Sequence, residues 1–171
     1  MKTVGDTRRA SGEELLEGCR KTLDAMLEHG TTTVEAKSGY GLTTKDELKC
    51  LEVMKLANKG HPIEIVPTFM GAHAVPMEYK NNADEYVDLM ADEMIPQVAA
   101  RRLAEFCDVF CERGVFSIEQ SRRILSEGKR YGLLPKVHAD EMTRLGGAEL
   151  AAEMQAVSAE HLLFASDDGL K

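Results

Sequence analysis

The stretch "LLPKVHADEMTRLGG", Leu133 to Gly147, runs an apolar segment into His138, Asp140 and Glu141 and then into Gly146 and Gly147. Imidazole nitrogens beside carboxylates can hold a zinc- or iron-type ion or move protons. A surface turn can carry the same residues with no chemistry at all. Glu141, just beyond His138, suits either a solvated loop carboxylate or a proton shuttle reaching over an activated water. Gly146 and Gly147 suit a flexible loop, or a helix start whose N–H groups face an anion. The choice depends on what else the chain brings to the same place.

Other candidates stand at comparable positions. β-Like runs end in or near Glu35, Lys37, Ser38 and Tyr40; in His73; in Asp108 and Glu112; and in Glu160 and His161. His73, His138 and His161 are three of the five histidines, and each follows a β-like run. His29 and His61 sit at helix C-termini or in loops, where a polar cap is the plain explanation. One histidine at a strand end is more often structural than a ligand; three at corresponding positions favour a site. There is no His-x-His or His-x-x-x-His in the chain, and a hydrolytic metal site needs three or four protein ligands. The donor set is incomplete within this sequence.

The elements that must position these residues alternate. "SGEELLEGCRKTLDAMLEHG" predicts an amphipathic helix capped by Ser11 and Glu14 and stopped by Gly30. "TTTVEAKSGYG" predicts a strand and turn, and "TTKDELKCLEVMKLANKG" a second helix. A strand over "PIEIVPTFMGAH" follows, then a helix over "ADEYVDLMADEMIPQVAARR", broken near Pro96. "FCDVFCE", "LPKVH" and "AVSAEHL" are further strands, separated by helices over "SIEQSRRILSEGKRYG", with a Ser117/Gln120 cap, and "GGAELAAEM". "SDDGLK" reads as the opening turn of another helix. About five strands alternating with helices require a parallel sheet with right-handed crossovers. The fold class is α/β, either an open doubly wound sheet or part of a (β/α)8 TIM-like barrel. "KSGYGLTT" lacks the glycine spacing of a nucleotide-binding loop, which favours the barrel.

Bulk composition narrows the function classes. The chain has 171 residues, 43% hydrophobic and 29% charged, enough for one substantial core. A net charge of -8 leaves no basic footprint for nucleic acid and no polybasic membrane patch. No run is long enough to span a bilayer and the N-terminus lacks signal-peptide layout, so the expected location is cytoplasmic. Cys19, Cys50, Cys107 and Cys111 form no Cys-x-x-Cys pair and read as structural thiols.

"VEAKSGYGL", "TFMGAHAVP", "DVFCERGVFS", "KVHADE", "LGGAELAAE" and "VSAEHL", in register from about "TVGDTRRAS" onward, closely resemble the imidazolonepropionase family of the amidohydrolase superfamily. The resemblance implies a distorted β/α barrel with a small β-sandwich and one zinc or iron ion. It also implies hydrolysis of the cyclic amide of 4-imidazolone-5-propanoate to N-formimino-L-glutamate, in histidine degradation. Carried over by motif, His138 is a metal ligand, while Glu141 contacts the substrate ring and handles protons. Tyr40 and His73 bind substrate. His161 stands near the metal, its role open between polarising the substrate carbonyl and completing the metal shell.

The family's His-x-His pair and late-strand Asp have no counterpart here, so residues 1–171 are expected to be the central part of the barrel domain, inactive alone. Expected partners are a small-molecule substrate and, for the complete enzyme, a second copy in a homodimer. Rival readings are another cyclic-amide hydrolase or deaminase of the superfamily, a non-catalytic fragment, or a flavodoxin-like binding protein that retains flavin.

Overall fold

The computed structural model describes residues 2–171. Helices α1 (Lys2–Arg9) and α2 (Gly12–Glu28) precede strand β1 (Thr33–Lys37). Then come α3 (Thr44–Gly60), β2 (Glu64–Ala72), α4 (Ala83–Leu89), α5 (Ile95–Ala100) and β3 (Phe106–Cys111). The chain continues through α6 (Ile118–Arg130), β4 (Leu134–Ala139), α7 (Gly147–Glu153) and β5 (Ser158–His161). The five strands are all parallel and lie in the order β1-β2-β3-β4-β5. A doubly wound sheet reverses its strand order where it changes direction, and this one does not. The result is a curled half-barrel of the α/β class, which sets aside the flavodoxin-like alternative.

Alternation along the strands gives the sheet two chemically opposite faces. Cys107, Val109, Cys111, Val137 and Ala139 point outward into the main core under the helices, joined by Leu51, Phe69, Ile124 and Leu150. Leu23 of α2, Ala57 of α3 and Ile63 and Ile65 at β2 form a second, smaller cluster. The opposite face carries Glu35, Lys37, Asp108, Lys136, His138 and Glu160, the side chains a closed barrel would enclose.

The predicted helix starts form for the predicted reasons. Ser11 accepts from the Glu14 N–H while Glu14 accepts from the Ser11 N–H, and Ser117 and Gln120 do the same at α6. Thr43 caps α3 through the Asp46 N–H. Three points correct or extend the sequence reading. First, Pro96 does not break its helix: α4 passes into a π-helical turn over Met90–Met94 and on into α5, where Pro96 occupies the first turn. The wider turn absorbs the missing N–H ahead of the proline, and Met90, Met94 and Ile95 stay fully buried. Second, α1 is a helix the apolar pattern does not announce, since none of its residues is buried. Its Arg8 instead reaches the carbonyls of Gly41 and Leu42. Third, "SDDGLK" makes a single helical-type turn, Leu170 N–H to Ser166 O, as the sequence suggests.

Candidate active site

The inner face is tied together by charge. On β1, Glu35 accepts from Lys37 at 2.6 Å, from Thr68 of β2 at 2.6 Å and from Lys136 of β4 at 2.7 Å. Lys37 also donates to Asp108 of β3 at 2.9 Å, and Lys136 reaches Glu160 of β5 at 3.1 Å. Every strand contributes to this ladder. Burial pushes the Glu35 carboxyl up, but hydrogen bonds from Lys136, Lys37 and Thr68, together with the Lys37 charge, outweigh it and bring the group down to about 2. Burial works against the Lys136 ammonium, and bonds to Glu35 and Glu160 more than restore it, raising its pKa. Asp108 and Glu160 are thus not strand-end groups, as the sequence suggested; they lie within their strands and face the barrel interior.

Above the ladder lies a rim of rings. His138 pairs in register with Phe110 of β3 on one side and Glu160 of β5 on the other. Its Nδ1 lies within hydrogen-bond distance of Asp108, at 3.1 Å. The Tyr40 and His73 rings meet edge-on at 4.8 Å between centroids, and His73 stacks on Phe110 at 6.5 Å. Phe110 meets His138 edge-on at 6.4 Å, and His138 lies 5.4 Å from His161. The rim ends where His161 Nε2 stands 3.4 Å from Glu141 Oε2. All five predicted site residues, Tyr40, His73, His138, Glu141 and His161, therefore share one continuous rim. Phe110 joins its two halves and was not singled out from the sequence, because a phenylalanine inside "CDVFC" is indistinguishable from core.

The loops below the rim are held by buried carboxylates. Glu47 accepts from the N–H groups of Gly39, Gly41 and Leu42, which shapes the "SGYG" turn. Gly39 has φ +113°, and a Cβ there would lie 2.7 Å from the Met70 carbonyl oxygen and 2.8 Å from His73 Cβ. Only glycine lets the turn come that close, and its carbonyl then accepts from His73 Nδ1 at 3.0 Å. A carbonyl can only accept, so in the neutral His73 ring Nε2 is left as an acceptor.

Asp140 receives four N–H groups, from Leu145, Gly146, Gly147 and Ala148. The anion expected at Gly146–Gly147 is therefore the chain's own Asp140. Burial raises that carboxyl, and the four backbone bonds pull it below its usual value. Glu112 likewise accepts from Arg113, Met142 and Thr143, and its pKa is lowered against the effect of burial. Both acids organise loops and are not free to act in the site. Asp140, His161 and Leu162 have positive φ values of 49°, 73° and 59°, a strain that collects where surrounding structure fixes functional side chains.

Curated proteins similar to this chain have one name. An imidazolonepropionase of Brevibacillus brevis is 64% identical over 169 residues, 99% of this chain and 40% of the relative. Those of Alkaliphilus metalliredigens and Shouchella clausii are each 57% identical over all 171 residues, 40% and 38% of their lengths. The chain belongs to the imidazolonepropionase family. It spans about 40% of the length of these curated relatives. No protein-family model matches it. In this chain the "SGYG", "GAHAVP" and "KVHADE" blocks build one rim.

The residues fit a metal ion in part. Asp108, His138 and Glu160 each offer a donor atom, all within 4.8 Å of one another, and Glu160 Oε2 is buried without a hydrogen-bond partner among the described residues. Lysines already neutralise both carboxylates, however, whereas His138 Nε2 has no hydrogen-bond partner among the described residues. His138 is the donor best suited to a divalent ion. The four cysteines take no part: all are free, and burial pushes Cys107 and Cys111 well above the usual thiol range.

Proposed function

We propose that the enzyme to which residues 1–171 contribute the middle of a hydrolase barrel opens the ring of 4-imidazolone-5-propanoate with water, giving N-formimino-L-glutamate in histidine degradation. The observation that carries this reading is the convergence of Tyr40, His73, His138, Glu141 and His161 on one rim, in a chain 64% identical to an imidazolonepropionase. One zinc or iron ion, when bound, would polarise the ring carbonyl and acidify a water. His138 would hold that ion through Nε2, with its remaining ligands supplied by parts of the enzyme that these residues do not span.

The other residues act on the flat substrate ring. His73 accepts the ring N–H through Nε2, since Gly39 occupies its Nδ1–H. Tyr40, edge-on to His73 and 45% exposed, presents its hydroxyl to the propanoate. Phe110 gives the ring an apolar face between the two histidines. Glu141 passes the proton taken from water to the departing ring nitrogen. His161, 3.4 Å from Glu141, either orients that carboxylate and polarises the carbonyl or completes the metal shell. The isolated chain is inactive, because one histidine and two neutralised carboxylates do not make a hydrolytic metal shell.

The test exchanges this segment for the matching segment of the Brevibacillus brevis relative, which the identity over 99% of the chain makes feasible. The expected chimera turns over imidazolone propanoate only with metal loaded, and His138→Ala loses both the metal and the turnover. A chimera that folds and holds metal but leaves the ring intact would refute the assignment. Turnover by the 171-residue chain alone would refute its inactivity.

A further inference from the structure

We propose that Asp108 is a positioning residue for His138: anchored by Lys37, its carboxylate holds the ring in the Nδ1–H tautomer and leaves Nε2 as the one free lone pair. The inference rests on the reading that His138 faces the ion through Nε2.

Three observations carry it. Asp108 is completely buried, so water does not compete for its oxygens. His138 Nδ1 lies 3.1 Å from Asp108 Oδ1 and 3.0 Å from Oδ2, and Lys37 Nζ donates to Oδ2 at 2.9 Å. Lys37 is in turn held by Glu35, which is tied to Thr68 and Lys136, so the acceptor is braced from three neighbouring strands. A carboxylate beside a lysine can only accept, so the nitrogen facing it carries the proton. An outer carboxylate of this kind orients an imidazole and raises the basicity of its free nitrogen.

The competing arrangement makes Asp108 itself a ligand, together with His138 and Glu160. It would bring a divalent ion against the Lys37 ammonium and would cost Asp108 the bond that anchors it. The ladder favours the positioning role. It also accounts for Lys37 and Glu35, which the rim chemistry does not use.

The experiment is long-range proton–nitrogen NMR on the full chain with 15N-labelled histidine and no metal, recorded where the rings are neutral. The resonances missing from His138→Gln identify the residue. The expected wild-type ring carries its proton on Nδ1, in an excess on the order of tenfold, as a hydrogen bond to a charged group supports. Asp108→Ala should return it to the Nε2–H majority of an unconstrained imidazole. Lys37→Met, which keeps the acceptor and removes its anchor, should cut the excess severalfold.

A neutral wild-type ring protonated on Nε2 overturns the proposal. So does an Asp108→Ala chain with native circular dichroism that keeps the Nδ1–H excess. If Asp108→Ala does not fold, the wild-type tautomer decides alone. Because no metal is added, the tautomer is read independently of the ion: a chimera that keeps its metal after His138→Ala would refute the metal reading and leave this one standing.

Discussion

Glu141 and Lys136 show two ways in which one charged side chain can matter. Glu141 is partly exposed, and among the described residues its ion-pair partner is His161 across 3.4 Å, a setting that suits proton exchange. Glu141→Gln in the chimera should lower kcat by about 10²–10⁴, the range for a lost general acid–base, with KM nearly unchanged. Following the loss of imidazolone absorbance measures both, and a kcat within a few-fold of the parent would remove Glu141 from proton transfer. Lys136 is 8% exposed and bridges Glu35 and Glu160. Lys136→Met removes the ion pair of Glu160 and leaves Glu35 with Lys37 and Thr68, and should destabilise the chain by about 1–3 kcal/mol. Urea unfolding reports this, and a loss near the roughly 0–1 kcal/mol of a surface pair would mean that water reaches the ladder.

At the scale of elements, the turn between β4 and α7 is built around Asp140 and a close contact. A Cβ on Gly147 would stand 2.8 Å from Ala139 Cβ and 3.0 Å from Ala139 Cα. Gly147→Ala should therefore push α7 off β4 and cost about 1–3 kcal/mol, seen as a lower urea midpoint with an unchanged slope. A neutral substitution would mean that α7 docks more loosely. The helices over the outer face make a second expectation. Cys107 and Cys111 lie sealed beneath α6, and burial holds both thiols well above their usual range, so a thiol reagent at pH 8 should leave them unlabelled until the chain unfolds. Mass spectrometry of the modified peptides tests it, and rapid native labelling of either would show that the layer opens.

At the scale of the whole molecule, stability depends on carboxylates with lowered pKa values. Glu35, Asp140 and Glu112 are each lower in the folded chain than their ordinary values. Their contribution is complete above those ordinary values and is lost as pH falls through the folded ones, for Glu35 down to about 2. The urea midpoint should decline steadily between about pH 5 and pH 2; a flat profile there would contradict the ladder. Lys136 has the opposite sign. Its raised value adds stability that is present below the ordinary lysine range and lost as pH climbs through the folded value. At the same scale β1 and β5 are sheet edges, and Leu163 and Phe164 just beyond β5 are 73% and 49% exposed. No helix of the described residues is long and apolar enough to cross a membrane.

The sequence by itself determined what neighbouring residues can encode. Apolar periodicity and β-branched runs placed the five strands, Ser11–Glu14 and Ser117–Gln120 marked their helices, and the strand-end histidines marked the candidate site. These signals act within one turn or one strand, so they survive without a fold. Only the tertiary structure decided which acids are tied into loops and the ladder and which stands on the rim. Glu35 and Lys136 are 101 residues apart, and Asp108 and His138 are 30 apart. No local pattern distinguishes an interior strand carboxylate from a strand-end one. Asp140 looked like a site acid until the fold brought four N–H groups onto it, and Phe110 looked like core until it stood between two histidines. Burial and strand register set both outcomes, and neither exists until the strands have paired into the sheet.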